Sequence, residues 1–377
     1  MAQRVLHIFG QMERGGAESR TMDLFRKIDR QRVVFDFVVM KPGRHYFFDE
    51  IEQLGGRIFY INPPMEGGFI AHAKALTNIM RTQGPFYAVH AHTAFNEAIA
   101  LTAAWICGIG RRVAHSRSAP MQQKTGWKYR LYSSIMRRIL LFSATERLMC
   151  SHEAGVYLFG EMSVRKGLVQ FFPNAIDVTT FGDTLWRLSV RTELGLADDA
   201  IVIGTVGNLR EVKNHSFLLE AFAALHKRRR NTVLLLVGAG PLENVLKARV
   251  RHLGLEKSVF FLGARSDVPR LLAAMDVFVL PSLYEGLPGA AVEAQASALP
   301  CLLSDRVTRE IAICRELVTF LPLESGPVEW AAALSRLADY PRRCVVDCQK
   351  ELREAGYDAA QAAVNLLSIY GLDGRIA

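Results

Sequence analysis

Residues 4–28 read RVLHIFGQMERGGAESRTMDLFRKI, and residues 200–227 read AIVIGTVGNLREVKNHSFLLEAFAALHK. Each opens with a short apolar run, passes through a glycine-containing loop and continues with apolar residues at helical spacing. Short apolar runs alternating with helical stretches of about 10–15 residues are what βαβ units and parallel sheets produce. Working outward from residue 4, the strand Arg4–Phe9 and the helix Glu18–Ile28 are followed by strand-like Phe35–Met40, Arg57–Ile61, Ala88–His90 and Arg112–His115, with a helix over Asn96–Cys107. From residue 200 the pattern restarts: Ala200–Val206, a helix over His215–Lys227, then Thr232–Val237, Val259–Leu262, Val277–Leu280 and Pro300–Ser304. The expected fold class is α/β, two parallel-sheet domains in tandem joined near Pro173–Asp183. Ligands of open parallel sheets bind beyond the carboxyl ends of the strands. The loops after each strand, and a cleft between the domains, are therefore where chemistry is expected.

A chain of 377 residues suits two domains. Half the residues are hydrophobic and 22% charged, which excludes wholesale disorder. Apolar runs such as Val277–Pro281 fall far short of the roughly 18 residues a membrane span needs. The opening Met1-Ala2-Gln3-Arg4 reads as neither signal nor transit peptide, and a cytoplasmic protein is expected. Six scattered cysteines read as buried, reduced thiols: Cys344 and Cys348 have no second pair or histidine cluster to complete a zinc site.

Charge is unevenly spread. Residues 1–178 hold 23 Lys+Arg against 14 Asp+Glu, and the remainder 23 against 23, so the whole net charge of +9 lies in the N-terminal half. Between Arg111 and Arg147, the cations Arg111, Arg112, Arg117, Lys124, Lys128, Arg130, Arg137, Arg138 and Arg147 face one acid, Glu146. Such a field attracts anions such as lipid headgroups, pyrophosphate-linked substrates or nucleic acid; a solvated helix face reads equally well. No aromatic–basic RNA motif or recognition-helix pattern accompanies it, and nucleic-acid binding is not expected.

Three loops could carry chemistry. Glu13–Glu18 holds Gly15 and Gly16 between a strand and a helix, where the backbone can approach an anion or simply turn tightly; its spacing is not a dinucleotide fingerprint. Gly207–His215 places Arg210 and Lys213 where both can meet one phosphate, or stand in solvent. Pro281–Glu293 is harder to read as packing. Glu293 falls among Ala291, Val292, Ala294 and Ala296 of an expected helix, and such a carboxylate is costly unless it accepts hydrogen bonds, which sugar hydroxyls supply. Glu285 lies in the preceding turn, and the amides of Gly286 and Leu287, at the expected helix N-terminus, can receive a phosphate or developing negative charge.

Glu285-x7-Glu293, preceded by Pro281-Ser282 and followed by Ala294–Cys301, resembles the signature of the retaining nucleotide-sugar glycosyltransferases of family 4. Their GT-B fold has two Rossmann-like domains facing across a central cleft. The resemblance runs through nearly the whole chain: Gly15–Glu18, the linker-like Pro173-Asn174-Ala175-Ile176-Asp177, and Val237–Leu242. Leu299–Asp305 and Ser151–Gly155 are similar to a subgroup that builds bacterial exopolysaccharide and capsule. The domains implied are an acceptor-binding domain, 1–178, a nucleotide-sugar domain, 179–357, and a C-terminal helix, 358–377, crossing back to the first.

The resemblance assigns roles by position. Glu293 binds ribose hydroxyls and Glu285 donor-sugar hydroxyls. Arg210 and Lys213 hold the diphosphate, with the amides of Gly286 and Leu287 and the backbone of Gly15 and Gly16. His115 matches a histidine beside the transferred sugar, and His90 and His92 are weaker candidates. Glu285, His115, Lys213 and Arg210 form the expected catalytic set, with no metal and no cofactor. Asn208 stands where many relatives have arginine, a contact that Arg210 can take over; Ala175 and Ala298 replace glycines, and Ala239 a frequent acid. The implied activity is hexose transfer from a nucleotide-diphosphate sugar, UDP-linked in this subgroup, to a lipid-linked saccharide at the inner face of the cell membrane. A nucleotide-sugar 2-epimerase, a sugar phosphorylase and a catalytically silent glycan-binding or partner subunit are the alternatives.

Overall fold

Strand β1 (Gln3–Ile8) sets the pattern for the first sheet in the computed structural model, which describes residues 2–117 and 126–372. Its side chains alternate between two apolar layers: Val5 and Phe9 enter one with Phe25, Phe35 and Leu366, while Leu6 and Ile8 enter the other with Val89, Leu101 and Leu140. A strand buried on both faces needs a near-continuous apolar run, which the sequence supplies. β2 (Val33–Val39), β3 (Ile58–Tyr60), β4 (Ala88–Ala91), β5 (Arg111–Ser116), β6 (Glu146–Met149) and β7 (Gln170–Phe171) complete a parallel sheet of order β3-β2-β1-β4-β5-β6-β7. One charge lies in its core: Asp36 of β2 is fully buried and takes Arg4 Nε at 2.6 Å, Arg57 Nη2 at 2.7 Å and the Arg57 amide at 2.8 Å. Burial alone would raise its pKa; these donors outweigh burial and hold it below the usual carboxylate value.

The second sheet repeats the plan. β8 (Ile201–Val206), β9 (Thr232–Val237), β10 (Val259–Gly263), β11 (Val277–Leu280), β12 (Cys301–Ser304) and β13 (Val318–Leu321) are parallel in the order β10-β9-β8-β11-β12-β13. Both orders reverse direction beside the first strand, at β1/β4 and at β8/β11, and such switch points open a crevice at the strands' carboxyl ends.

The chain divides into two units, Met1–Ile176 with Gly356–Ala377, and Asp177–Ala355, each boundary two residues before the expected 178 and 357. The helix Ala359–Ile369 belongs to the first unit, packs on the helix Gly16–Lys27 and is capped by Asp358, whose carboxylate accepts from the Ala360 amide. Among the described residues, no helix is long and apolar enough to cross a membrane. Cys150, Cys301, Cys314 and Cys348 are buried as expected, but Cys107 is only partly buried and Cys344 is exposed.

Candidate active site

At the β8/β11 switch point the loop after β8 tightens into a single helical turn, Glu211–Lys213, and Asn214 leaves it in the left-handed conformation. Lys213 Nζ lies 2.5 Å from Glu285 Oε1. Ser282, fully buried, donates its hydroxyl to the same carboxylate oxygen at 3.3 Å. Backbone bonds fix both partners: the Leu283 amide donates to the Val212 carbonyl at 2.8 Å, and the Glu285 carbonyl accepts from Thr308 at 3.3 Å. Both side chains stay partly exposed, so an ionised ligand can reach them.

Glycines bring the neighbouring loops together. A Cβ on Gly238 would collide with the Gly207 carbonyl, and one on Gly240 would sit 2.5 Å from the Leu209 carbonyl oxygen. A Cβ on Gly207 would come within 3.0 Å of Lys213 Cε, so this glycine leaves room for the lysine stem. Asn208 and Arg210 are exposed, and the Lys213 amide donates to the Arg210 carbonyl at 3.0 Å, which closes the turn between the two cations. Gly286 is open: nothing lies within 4 Å of where its Cβ would be.

One expectation needs correcting. The helix starts at Gly289 with Pro288 as its cap, so Gly286 and Leu287 precede the helix N-terminus instead of forming it. Pro288 is extended, φ −69° and ψ 110°, and its ring pushes the preceding Leu287 out of the helical region, so the helix does not extend back through the turn. Glu293 falls within the helix and is partly buried. Its neighbour Gln295, which residue chemistry alone did not single out, is fully buried; it donates to the Ala291 and Ile311 carbonyls and accepts from the Ile313 and Cys314 amides. His215, also missed, is buried at the start of its helix, and burial with Lys213 nearby pushes its pKa down to about 4. Ala298 takes φ 52, the left-handed region that explains why glycine is usual there.

In the first unit, register assembles a cluster that no local motif announces. β1 and β4 pair His7 with His90, His92 follows His90 on the same side of the chain, and His115 lies on β5. His90 Nε2 is 3.1 Å from His115 Nδ1, and His90 Nδ1 is 2.8 Å from the Tyr370 hydroxyl. His7 Nδ1 is 3.1 Å from His92 Nε2, and the Tyr370 oxygen is 3.5 Å from His7 Nε2. Arg117 donates Nε to His92 Nδ1 at 3.2 Å, Nη1 to Asn174 at 2.7 Å and Nη2 to Thr21 at 2.9 Å. Burial, reinforced by the Arg117 charge, holds all four imidazoles well below the ordinary histidine pKa and therefore neutral. Burial also lowers Arg117, to about 10. Glu97, fully buried, accepts from the His115 amide at 3.1 Å, and burial pushes its carboxyl well above the usual range.

His7, His90 and His92 bring ligating nitrogens within 4.8 Å of one another, the arrangement among the described residues that could hold a metal ion. The guanidinium against His92 disfavours a cation there, and the facing nitrogens are already bonded to each other. Near the amino end of the first helix, Gly15 is the cap, Gly16 is exposed, and the Glu18 carboxylate folds back over Gly15 where any Cβ would collide with it. Burial raises the Glu18 pKa.

The basic stretch is also not one outward field. Arg111 pairs with Glu146, and Arg112, Arg137 and Arg147 donate to main-chain carbonyls, for example Arg137 to Tyr157 and Leu158. Arg117 serves the histidine cluster, Lys124 lies outside the described residues, and Lys128, Arg130 and Arg138 remain exposed.

Two Rossmann-like units, each with polar loops gathered at its switch point, define a protein of the GT-B class. Residues 200–339 match the family described as glycosyl transferases group 1. EpsF of Bacillus subtilis (strain 168), named as a glycosyltransferase, is 38% identical over 371 residues, 98% of this chain and 97% of that protein. The UDP-Gal:alpha-D-GlcNAc-diphosphoundecaprenol alpha-1,3-galactosyltransferase of Escherichia coli is 30% identical over 67% of this chain and 66% of its own length. The crystal structure of Anabaena Alr3699/HepE with UDP and glucose superposes with a TM-score of 0.75 at 18% identity, covering 98% of this chain and 99% of that one. The chain belongs to the group 1 glycosyl transferases and is a glycosyltransferase enzyme.

Proposed function

We propose that the chain moves a hexose, with retention of anomeric configuration, from a UDP-sugar to a lipid-linked saccharide in cell-surface polysaccharide synthesis. The observation that carries this reading is the Lys213–Glu285 pair at the β8/β11 switch point. A diphosphate arriving there competes for the lysine; Glu285 is then released to accept hydrogen bonds from donor-sugar hydroxyls, while Glu293 takes the ribose. Arg210 and the amides of Gly286 and Leu287 join Lys213 in neutralising the departing diphosphate. The acceptor oxygen bonds to the anomeric carbon as the carbon–oxygen bond to diphosphate breaks, and the acceptor's proton passes to the leaving phosphate. The side-chain and amide charges supply what a metal would otherwise supply. The first unit takes the acceptor, with the backbone of Gly15 and Gly16 serving the diphosphate and His115 the transferred sugar, and the enzyme works at the inner membrane face. UDP is favoured by the named substrate of the Escherichia coli relative and by the UDP held in the Anabaena structure.

The test is a thermal-shift panel against UDP, GDP, ADP and TDP, with and without magnesium. A nucleotide at about 100 times its Kd adds roughly 2.7 kcal/mol. Stabilisation by UDP alone, unchanged by EDTA, is the expected result; stabilisation by none of the four removes the donor-binding reading. Conversion of UDP-sugar without any acceptor would identify an epimerase.

A further inference from the structure

The helix Trp127–Ser143 (WKYRLYSSIMRRILLFS) contains no acidic residue. Its inner side is conventional, with Met136, Leu140 and Ser143 buried. Its outer side is not: Trp127, Leu131, Ile135, Ile139 and Phe142 are 70%, 55%, 48%, 38% and 72% exposed. Steps of four, four, four and three residues put them on one face of an α-helix. Trp105, 51% exposed at the end of the helix Glu97–Ile106, extends the stripe, its ring 5.5 Å from that of Phe142. Lys128, Arg130 and Arg138 are exposed beside it, and the internal contacts of Arg137 leave it out of this set. Monomeric proteins seldom leave so continuous an apolar face uncovered.

We propose that this face docks on an anionic lipid surface, the aromatic and aliphatic side chains entering the headgroup boundary and Lys128, Arg130 and Arg138 pairing with lipid phosphates. This deepens the lipid-linked-acceptor reading and rests on it. Apolar residues alternating with cations on one exposed helix face are what interfacial helices present. Charge selects lipid over a second copy of the chain: a two-fold contact would place the same three cations against themselves without an acid on the helix to offset them.

The experiment uses the whole chain and sedimentation with phosphatidylcholine vesicles, with and without phosphatidylglycerol. The wild type binds the anionic vesicles, less strongly in high salt but not negligibly, because the apolar contribution survives screening. Leu131→Ser with Ile135→Ser lowers the partition coefficient at least about tenfold while circular dichroism and transfer to a soluble saccharide acceptor stay unchanged. Wild-type partition equal to that of the double variant overturns the proposal, as does a wild-type dimer that the double variant dissolves. Vesicle binding by a chain that transfers no sugar would leave the surface standing and remove the transferase reading.

A second inference comes from the histidine cluster. Arginine has only donors, so His92 Nδ1 must accept from Arg117. A neutral His92 then carries its proton on Nε2 and donates to His7 Nδ1; His7 Nε2 donates to the Tyr370 oxygen; Tyr370 donates to His90 Nδ1; and His90 Nε2 donates to His115 Nδ1. The chain ends at His115 Nε2, which is buried and has no hydrogen-bond partner. The Phe172 carbonyl favours a proton on this ring without completing a bond to Nε2. The geometry points to His115 as a fixed Nε2–H donor for an oxygen of the bound sugar, with Arg117, His92, His7, Tyr370 and His90 as positioning residues. This rests on His115 facing the sugar, whereas the tautomer can be read without any substrate.

Nitrogen-15 histidine NMR of the free chain reads it. His115 shows a single Nε2–H form, and Tyr370→Phe, which removes the one hydroxyl in the relay, turns it into a mixture and lowers kcat about tenfold with KM little changed. An Nδ1–H His115 in the wild type overturns the relay, with no variant needed. So does zinc titration that shifts His7, His90 and His92 together as ligands, because the same nitrogens cannot both relay and coordinate.

Discussion

Lys213 and Glu285 hold each other at 2.5 Å with Ser282 behind the carboxylate, so each is positioned before a ligand arrives. If the lysine neutralises a leaving diphosphate, Lys213→Ala lowers kcat by about 10²–10³-fold, the usual cost of one preorganised charge. Glu285→Gln keeps the shape and loses the anion; it is expected to lower kcat by a similar factor while leaving UDP affinity within about threefold, since the sugar and not the nucleotide is its proposed partner. Steady-state kinetics and UDP titration of both variants separate these outcomes, and an unchanged kcat in either would remove that residue from the site. These two residues were legible because each stands in a loop directly after a strand, within a recognisable spacing. His7, Arg117 and Tyr370 were not. They lie as much as 363 positions apart, and only the strand register of β1, β4 and β5 and the return of the last helix bring them together.

At the scale of elements, the apolar runs located most strands to within a residue or two, because a strand buried on both faces has little freedom of composition. The strands that escaped are β6, with charged Glu146 and Arg147 at its start, the two-residue β7, and the edge strand β13. Partial exposure relaxes the pattern there. Helix starts were less legible than strands: the amide donors expected at Gly286 and Leu287 belong to the turn before Pro288. Two glycines, one in the loop after β9 and one in that turn, offer a clean contrast. Gly240→Ala forces a methyl group against the Leu209 backbone and is expected to cost about 2–4 kcal/mol in urea unfolding, because a backbone neighbour cannot rotate away. Gly286→Ala meets open space and should change stability by no more than about 0.5 kcal/mol. If a diphosphate approaches the Gly286 amide, the same harmless methyl weakens UDP binding about tenfold or more, measurable by calorimetry; unchanged affinity would place the phosphates elsewhere.

Across the whole molecule, protons are distributed unequally between the two units. His7, His90, His92 and His115 are buried and neutral in the first unit, where burial also lowers His72; in the second unit burial lowers His215, to about 4, and His226. For each, the folded pKa lies below the unfolded value of about 6.5, so its contribution is complete above that pH and is lost as the pH falls. Each such group costs up to about 1.4 kcal/mol per pH unit. Glu97 acts oppositely: its raised folded pKa makes the folded state bind a proton the unfolded state lacks, so it gains stability on acidification and offsets about one histidine. Asp36 in the first unit and Asp267 in the second, the latter at about 2 through its hydrogen bonds from Arg265, are held low and matter only below about pH 4. Between pH 7 and 5.5 the first unit is therefore expected to lose stability faster than the second. Scanning calorimetry should show its transition moving down and separating from a second transition, and UDP should raise only the latter. Parallel movement of both transitions would mean that the histidine cluster is not neutral when folded, and the donor directions derived from its neutrality would go with it.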